Sequence, residues 1–155
     1  MKKILVITTG GTIDMKKDRE TGGLMPAVSG KDLAAAVPGL AHYADLDVLE
    51  FSNKPSGWMT AADMFELSKL IDCLADTDQA DGFVITHGTD TLEETAFFLE
   101  AVLKTEKPVC VTGAMRGASA LSADGPANIL AAVRTAASDD SIGKGVTVCL
   151  GDRIY

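Results

Sequence analysis

Four short clusters of hydroxyl, glycine and carboxylate residues carry the chemistry open to this sequence. They are Thr8-Thr9-Gly10-Gly11-Thr12, residues 52–59 with Pro55-Ser56-Gly57-Trp58-Met59, Thr86-His87-Gly88-Thr89-Asp90-Thr91, and Thr112-Gly113-Ala114-Met115-Arg116. Hydroxyls with a single carboxylate suit acyl transfer through preorganised hydrogen bonds, provided a base or a relay takes the nucleophile's proton. They do not suit a cation site, and no His, Cys and carboxylate set has metal-ligand spacing, so neither a metal nor a cofactor is expected. Each cluster alone also has a plainer reading. Gly10-Gly11 reads as a phosphate nest or as a tight turn needing positive φ, and it matches neither GxGxxG nor GxxxxGK[ST]. Thr89-Asp90-Thr91 reads as a helix cap, and His87 as a hydrogen-bonded structural histidine. Cys73, Cys110 and Cys149 read as small apolar core residues.

The elements that must position these clusters are legible as apolar runs. Residues 4–7, 48–51, 83–85, 109–111 and 146–150 are aliphatic stretches of the kind buried on both faces of a sheet. Helical patterns lie between them. Thr60 with Asp63 precedes the stripe Met64, Leu67, Leu70, Ile71 and Leu74, and Thr91 with Glu94 repeats that signature ahead of Phe97, Phe98, Ala101 and Val102. A shorter helix runs from Ser29 to Val37 before Pro38, and a fourth covers residues 126–137 with Asp124 as its cap and Pro126 in its first turn. Alternating strands and helices with short connections predict an α/β fold, a mainly parallel, doubly wound three-layer sheet of flavodoxin-like type. Ligands then bind at the carboxyl ends of the strands, where all four clusters fall. Residues 14–28 form the one long irregular stretch and read as a lid or an insert. Residues 151–155 read as the start of a connection.

Composition limits the partners. With 155 residues, 46% of them apolar and 23% charged, the chain has the size and content of one globular domain. Fourteen basic against 22 acidic residues give a net charge of -8, a field that repels phosphate backbones, so no nucleic acid is expected. Three cysteines without a CxxC pair point to reduced thiols and a cytoplasmic setting. The apolar run 4–7 is too short for a signal core and nothing approaches a membrane span, so no membrane partner is expected.

Read as whole strings, Thr9-Gly10-Gly11-Thr12-Ile13, His87-Gly88-Thr89-Asp90-Thr91 with Glu93-Glu94-Thr95-Ala96, and Gly113-Ala114-Met115-Arg116 with Ser122-Ala123-Asp124-Gly125-Pro126 resemble the bacterial-type L-asparaginase family of asparaginases and glutaminases. The resemblance runs from Lys3 to about Leu150, through that family's amino-terminal domain. It implies hydrolysis of the side-chain amide of L-asparagine, to L-aspartate and ammonia, through a threonine acyl-enzyme. Thr12 then matches the nucleophile, and Thr89 the second catalytic threonine, grouped with Asp90 and a lysine. The resemblance also makes Asp90 the holder of the substrate's α-ammonium, and Ser56 the group that binds its α-carboxylate. Gly57 falls at a substrate contact, the Thr89 N–H at an oxyanion donor, and Ala114 at the residue whose carbonyl faces the amide. The implied partner is a small amino-acid amide, and the parent protein is expected to be a homo-oligomer. Thr12 and Thr89 should share one cleft, with Asp90 and Ser56 on its rim.

Three departures bear on that transfer. The family's lid tyrosine aligns with Leu24, and neither Tyr43 nor Tyr155 lies in that loop. Gly57 stands where many members carry glutamine or serine, and Trp58 where aspartate is common. The family's catalytic lysine and smaller carboxy-terminal domain fall beyond Tyr155. Residues 1–155 are therefore read as the amino-terminal, nucleophile-bearing domain, inactive by itself. The competing reading is a non-catalytic amino-acid-binding or regulatory module on the same fold. Leu24 favours that module, whereas Thr12 together with Thr89-Asp90 favours the enzyme.

Overall fold

The computed structural model describes residues 1–10, 15–17, 24–26, 37, 39–117 and 120–155. Its strands are β1 (Lys3–Thr8), β2 (Met15–Lys17), β3 (Leu24–Pro26), β4 (Asp45–Glu50), β5 (Gly82–Thr86), β6 (Val109–Thr112), β7 (Val146–Leu150) and β8 (Arg153–Ile154). The helices are α1 (Ala61–Asp76), α2 (Leu92–Val102) and α3 (Gly125–Ala136). One six-stranded sheet has the order β4-β1-β5-β6-β7-β8, parallel except for the β7–β8 pair. In chain order its parallel strands stand 2-1-3-4-5, the flavodoxin-like arrangement expected from the sequence.

Unbroken aliphatic runs become central strands because both of their faces are covered. Leu5 and Ile7 of β1 join Phe83 and Ile85 of β5 beneath Leu67, Ile71 and Leu74 of α1 and Ala96 and Leu99 of α2. Ile4, Val6 and Val84 turn the other way, onto Ile129, Ala132, Val133 and Ala136 of α3 and onto Val37 and Leu40. Each fully buried Ile, Leu or Phe contributes about 1.5–3 kcal/mol of transfer free energy, so these two layers hold the sheet between the helices. β4 lies at the edge, and its exposed Asp45, Asp47 and Glu50 oppose pairing with another strand.

Helix α1 begins as its sequence signature predicts. Thr60 Oγ1 accepts from the Asp63 N–H at 3.2 Å, and the Asp63 carboxylate accepts from the Thr60 N–H at 2.9 Å. Lys54 Nζ adds a 2.6 Å ion pair to Asp63. Its hydrogen bond, together with those from Thr60, lowers the Asp63 pKa to about 2.

Several expectations are corrected. Residues 14–28 are not irregular throughout, since β2 and β3 pair antiparallel with Lys17 opposite Leu24. The helix over residues 29–37 falls, apart from Val37, outside the described residues. Cys110 and Cys149 are buried, but Cys73 is exposed on α1. Residues 151–155 do not simply lead away from β7. Gly151 and Asp152 adopt φ of 58° and 62°, and that left-handed pair turns the chain back as β8. No helix among the described residues is long and apolar enough to cross a membrane.

Candidate active site

The strand order reverses direction between β1 and β5, and the crevice beyond their carboxyl ends is where open α/β sheets bind ligands. Register brings Thr8, Thr86, Thr112 and Cys149 side by side along that edge. Past β1, Thr9 donates to the Thr86 carbonyl twice, from its N–H at 3.2 Å and from Oγ1 at 2.9 Å. The Thr9 carbonyl in turn accepts from Ser52 Oγ at 2.7 Å and from the Lys54 N–H at 3.2 Å. Gly10 follows with φ +107°, and a Cβ there would stand 2.6 Å from the Lys54 carbonyl oxygen. The first cluster therefore needs glycine both for the turn and for the approach of residues 53–54.

The cluster after β5 is built against the cluster after β4. Ser56 is buried; its Oγ accepts from the Asp90 N–H at 3.2 Å and its carbonyl accepts from Thr91 Oγ1 at 2.8 Å. A Cβ on Gly88 would lie 2.5 Å from Ser56 Oγ, so glycine is required for this seat. The expected Thr91 cap is corrected: Thr91 is the N-cap of α2 by position, but its hydroxyl is spent on Ser56 and makes no cap bond. His87 has the structural role read from the sequence. Its Nδ1 lies 2.7 Å from the Gly88 carbonyl, which can only accept, so Nδ1 carries the proton and Nε2 accepts from Thr95 Oγ1 at 2.9 Å. Burial pushes the His87 pKa below the ordinary histidine value, against smaller upward pulls from the Gly88 carbonyl and Glu94. The ring is neutral, with both nitrogens engaged.

Beyond β6, the segment 113–116 is held by two side chains of the α3 start. Asp124 was expected to cap α3, and it occupies the N-cap position without making a side-chain cap bond. Its carboxylate instead accepts from the Met115 N–H at 3.0 Å and the Arg116 N–H at 2.8 Å. Burial raises the Asp124 pKa, but those two N–H groups, with its own N–H and the Arg116 charge, together outweigh it and leave the carboxyl below its usual value. Asn128, buried one turn later, donates from Nδ2 to the Gly113 carbonyl at 2.9 Å and to Asp124 at 3.2 Å. Its Oδ1 accepts from the Gly151 N–H at 3.1 Å. Sequence reasoning missed Asn128, although an asparagine four residues after Asp124 on the apolar stripe of Ile129, Ala132 and Val133 was a usable signal.

The candidate residues fall out as follows. Ser56, Gly57, Thr89 and Asp90 come together: a Cβ on Gly57 would stand 3.8 Å from Asp90 Oδ2, and one on Gly113 would stand 3.2 Å from Thr89 Cγ2. Ala114 is the next residue along. Thr12 lies outside the described residues, and so does its separation from Thr89. Among the described residues, neither Thr89 nor the Ala114 peptide group has a hydrogen-bond partner, whereas the side chains beneath them are tied. One supporting hydroxyl is an exception: buried Thr86 Oγ1 has no partner among the described residues. No group of three or more His, Cys, Asp or Glu among those residues could hold a metal ion.

Strand order defines a flavodoxin-like α/β protein, with a hydroxyl-rich candidate site at its topological switch point. Comparison with known proteins narrows that class. The family described as "Asparaginase, N-terminal" matches residues 3–155, and the chain belongs to the asparaginase family. It is 46% identical over 157 residues to L-asparaginase 2-3 of Saccharomyces cerevisiae, covering 99% of this chain and 43% of that protein. It is 40% identical over 157 residues to L-asparaginase 2 of Bacillus subtilis, covering 99% of this chain and 42% of that protein. With the glutaminase-asparaginase of Pseudomonas aeruginosa, identity is 39% over 160 residues, 99% of this chain and 43% of that protein. The crystal structure of a probable cytoplasmic L-asparaginase from Campylobacter jejuni superposes with a TM-score of 0.86 at 38% identity, covering all of this chain and 46% of that one. The chain thus spans less than half the length of the relatives it matches.

Proposed function

We propose that this chain is the amino-terminal, nucleophile-bearing domain of an L-asparaginase-type amidohydrolase, acting on the side-chain amide of L-asparagine in the cytoplasm. The observation that carries the reading is the unpartnered Thr89 and Ala114 peptide groups at the switch point, next to Asp90, above a bed whose ties are nearly all made. Family membership supplies the reaction class.

In this reading Thr12 Oγ attacks the amide carbon. The C–O bond forms, the C–N bond breaks, and the hydroxyl proton leaves on nitrogen as ammonia. Water then adds to the ester carbon, the bond from that carbon to Thr12 Oγ breaks, a proton of the water returns to Thr12 Oγ, and L-aspartate departs. Negative charge on the tetrahedral oxygen is met by the Thr89 N–H, a donor with no other partner among the described residues. Asp90 holds the α-ammonium. Ser56 Oγ accepts from the Asp90 N–H and so keeps its own proton to donate to the α-carboxylate. Gly57 leaves that end of the cleft without a side chain, and the Ala114 carbonyl faces the amide nitrogen. Hydroxyls, one carboxylate and backbone groups suffice, so no cofactor is invoked. The lysine of the resemblance lies outside residues 1–155, and turnover by these residues alone is proposed to be far below that of the whole gene product, a homo-oligomer in this reading.

The test is ammonia release from L-asparagine and L-glutamine by the product of the reading frame that encodes this chain. Thr12→Ala is expected to lower turnover by several orders of magnitude, on the order of the losses seen for other nucleophiles. A Thr12→Ala protein as active as its parent would remove Thr12 as nucleophile.

A further inference from the structure

We infer that Asp124 and Asn128 are positioning residues that present the Ala114 peptide group to the ligand and couple it to the turn after β7. The inference rests on the reading above and adds two residues to it. The Ala114 loop is pinned at three backbone points, the Gly113 carbonyl on one side and the Met115 and Arg116 N–H groups on the other. All three pins come from the first turns of α3. Ala114 itself, between them, makes no hydrogen bond among the described residues although it is buried. A buried peptide group without a partner is costly unless something else satisfies it, and here its neighbours hold it in place for that purpose.

The two side chains differ in what they tie. Asp124 serves only the loop and Asn128. Asn128 alone reaches across to the Gly151 N–H, in the left-handed pair that turns β7 into β8. With its amide engaged at both ends, Asn128 cannot shift toward one partner without releasing the other. The packing of the β5 loop makes the position sensitive. Gly113 has no room for a Cβ against the His87 carbonyl, at 2.8 Å, or against Thr89 Cγ2, so movement of the Ala114 segment is transmitted to Thr89.

The experiment compares the parent protein with Asn128→Ala, Asp124→Asn and, as a control for general loosening, Glu100→Gln, whose carboxylate accepts from the Val146 N–H and packs on Gly145 at the amino end of β7, away from the Ala114 loop. Two measurements are made on each: kcat and KM for L-asparagine on the gene product, and amide hydrogen exchange at Met115, Arg116 and Gly151. Asn128→Ala and Asp124→Asn are expected to lower kcat roughly 10- to 100-fold with KM changed less than about threefold, because the misplaced group acts on the reacting amide. Exchange at Met115 and Arg116 should rise in both variants, and at Gly151 in Asn128→Ala only. Glu100→Gln should change neither kcat nor these amides. Wild-type kcat in both variants with accelerated loop exchange would overturn the positioning role, as would equal loss in the control. If the parent releases no ammonia from L-asparagine, the amidohydrolase reading fails instead, and the positioning role fails with it. If Asn128→Ala does not fold, Asp124→Asn decides the matter by the same kcat criterion.

Discussion

The two edges of the sheet are held by different kinds of residue. At the amino edge, charged side chains do most of the tying. Lys107 Nζ reaches the Ala75 and Ala80 carbonyls at 2.9 and 3.0 Å and Asp78 at 2.7 Å, and Asp81 accepts from the Lys3 N–H at 2.7 Å. At the carboxyl edge, Thr9, Ser52, Ser56, Thr91, Asp124 and Asn128 tie loop to loop with short side chains, and Gly10, Gly88 and Gly113 allow backbone contact where no Cβ fits. A lysine has rotamers to spare, so a lost surface contact such as that of Lys3 with the exposed Asp47, 3.1 Å away, is readily replaced by solvent. A threonine hydroxyl or a glycine contact has no such slack. Where geometry within a fraction of an ångström matters, this protein uses residues that cannot move.

The comparison is most severely tested at Gly10. Gly10→Ala places a side chain at φ +107° and against the Lys54 backbone, costing about 1–3 kcal/mol for the conformation and a similar amount for overpacking. Thermal melting should show a drop of at least several degrees; a melt unchanged from the parent would mean that the two loops do not pack as described. Thr95→Val is next. It leaves the buried His87 Nε2 without its donor and should cost about 1–3 kcal/mol in a denaturant titration. A neutral outcome would show that His87 Nε2 has another partner.

Thr86→Val runs in the opposite direction. The orphaned hydroxyl is replaced by a methyl of the same shape, and stability should rise by about 1 kcal/mol. Lost stability would indicate that Thr86 Oγ1 has a partner after all, and a rise in stability with a fall in ammonia release would tie the hydroxyl to the site. The smallest effect is expected at the other edge. Lys3→Met should cost no more than about 1 kcal/mol and leave activity unchanged, because it removes only the surface ion pair with the exposed Asp47. An amino-edge substitution that matched Gly10→Ala in either measurement would erase the distinction between the edges.

Much of this arrangement is legible in the sequence. Unbroken apolar runs at residues 4–7, 83–85 and 109–111 are central strands because only strands covered on both faces have no polar side to show. The Thr60–Asp63 signature marked the start of α1 because a capping box closes within four residues of chain. The glycine and threonine strings marked the carboxyl edge and the family for the same reason, being local. Legibility failed where a side chain had a choice of partners. Thr91 and Asp124 both stand at helix N-caps, and both turn away, to Ser56 and to the Met115 and Arg116 N–H groups. A cap bond competes with any donor or acceptor that tertiary folding brings within reach, and residues 35, 9 and 8 positions apart on the chain carry no mark of that reach. Cys73 went the same way, since one helical position decides between core and solvent. The sequence by itself determined the five parallel strands of the main sheet and which residue types gather at their ends, because periodicity and motif act over a few neighbours. Which hydroxyls are engaged and which groups stay open to a ligand was decided only by the tertiary structure, because hydrogen bonds are shared out among all the donors and acceptors that the fold brings together.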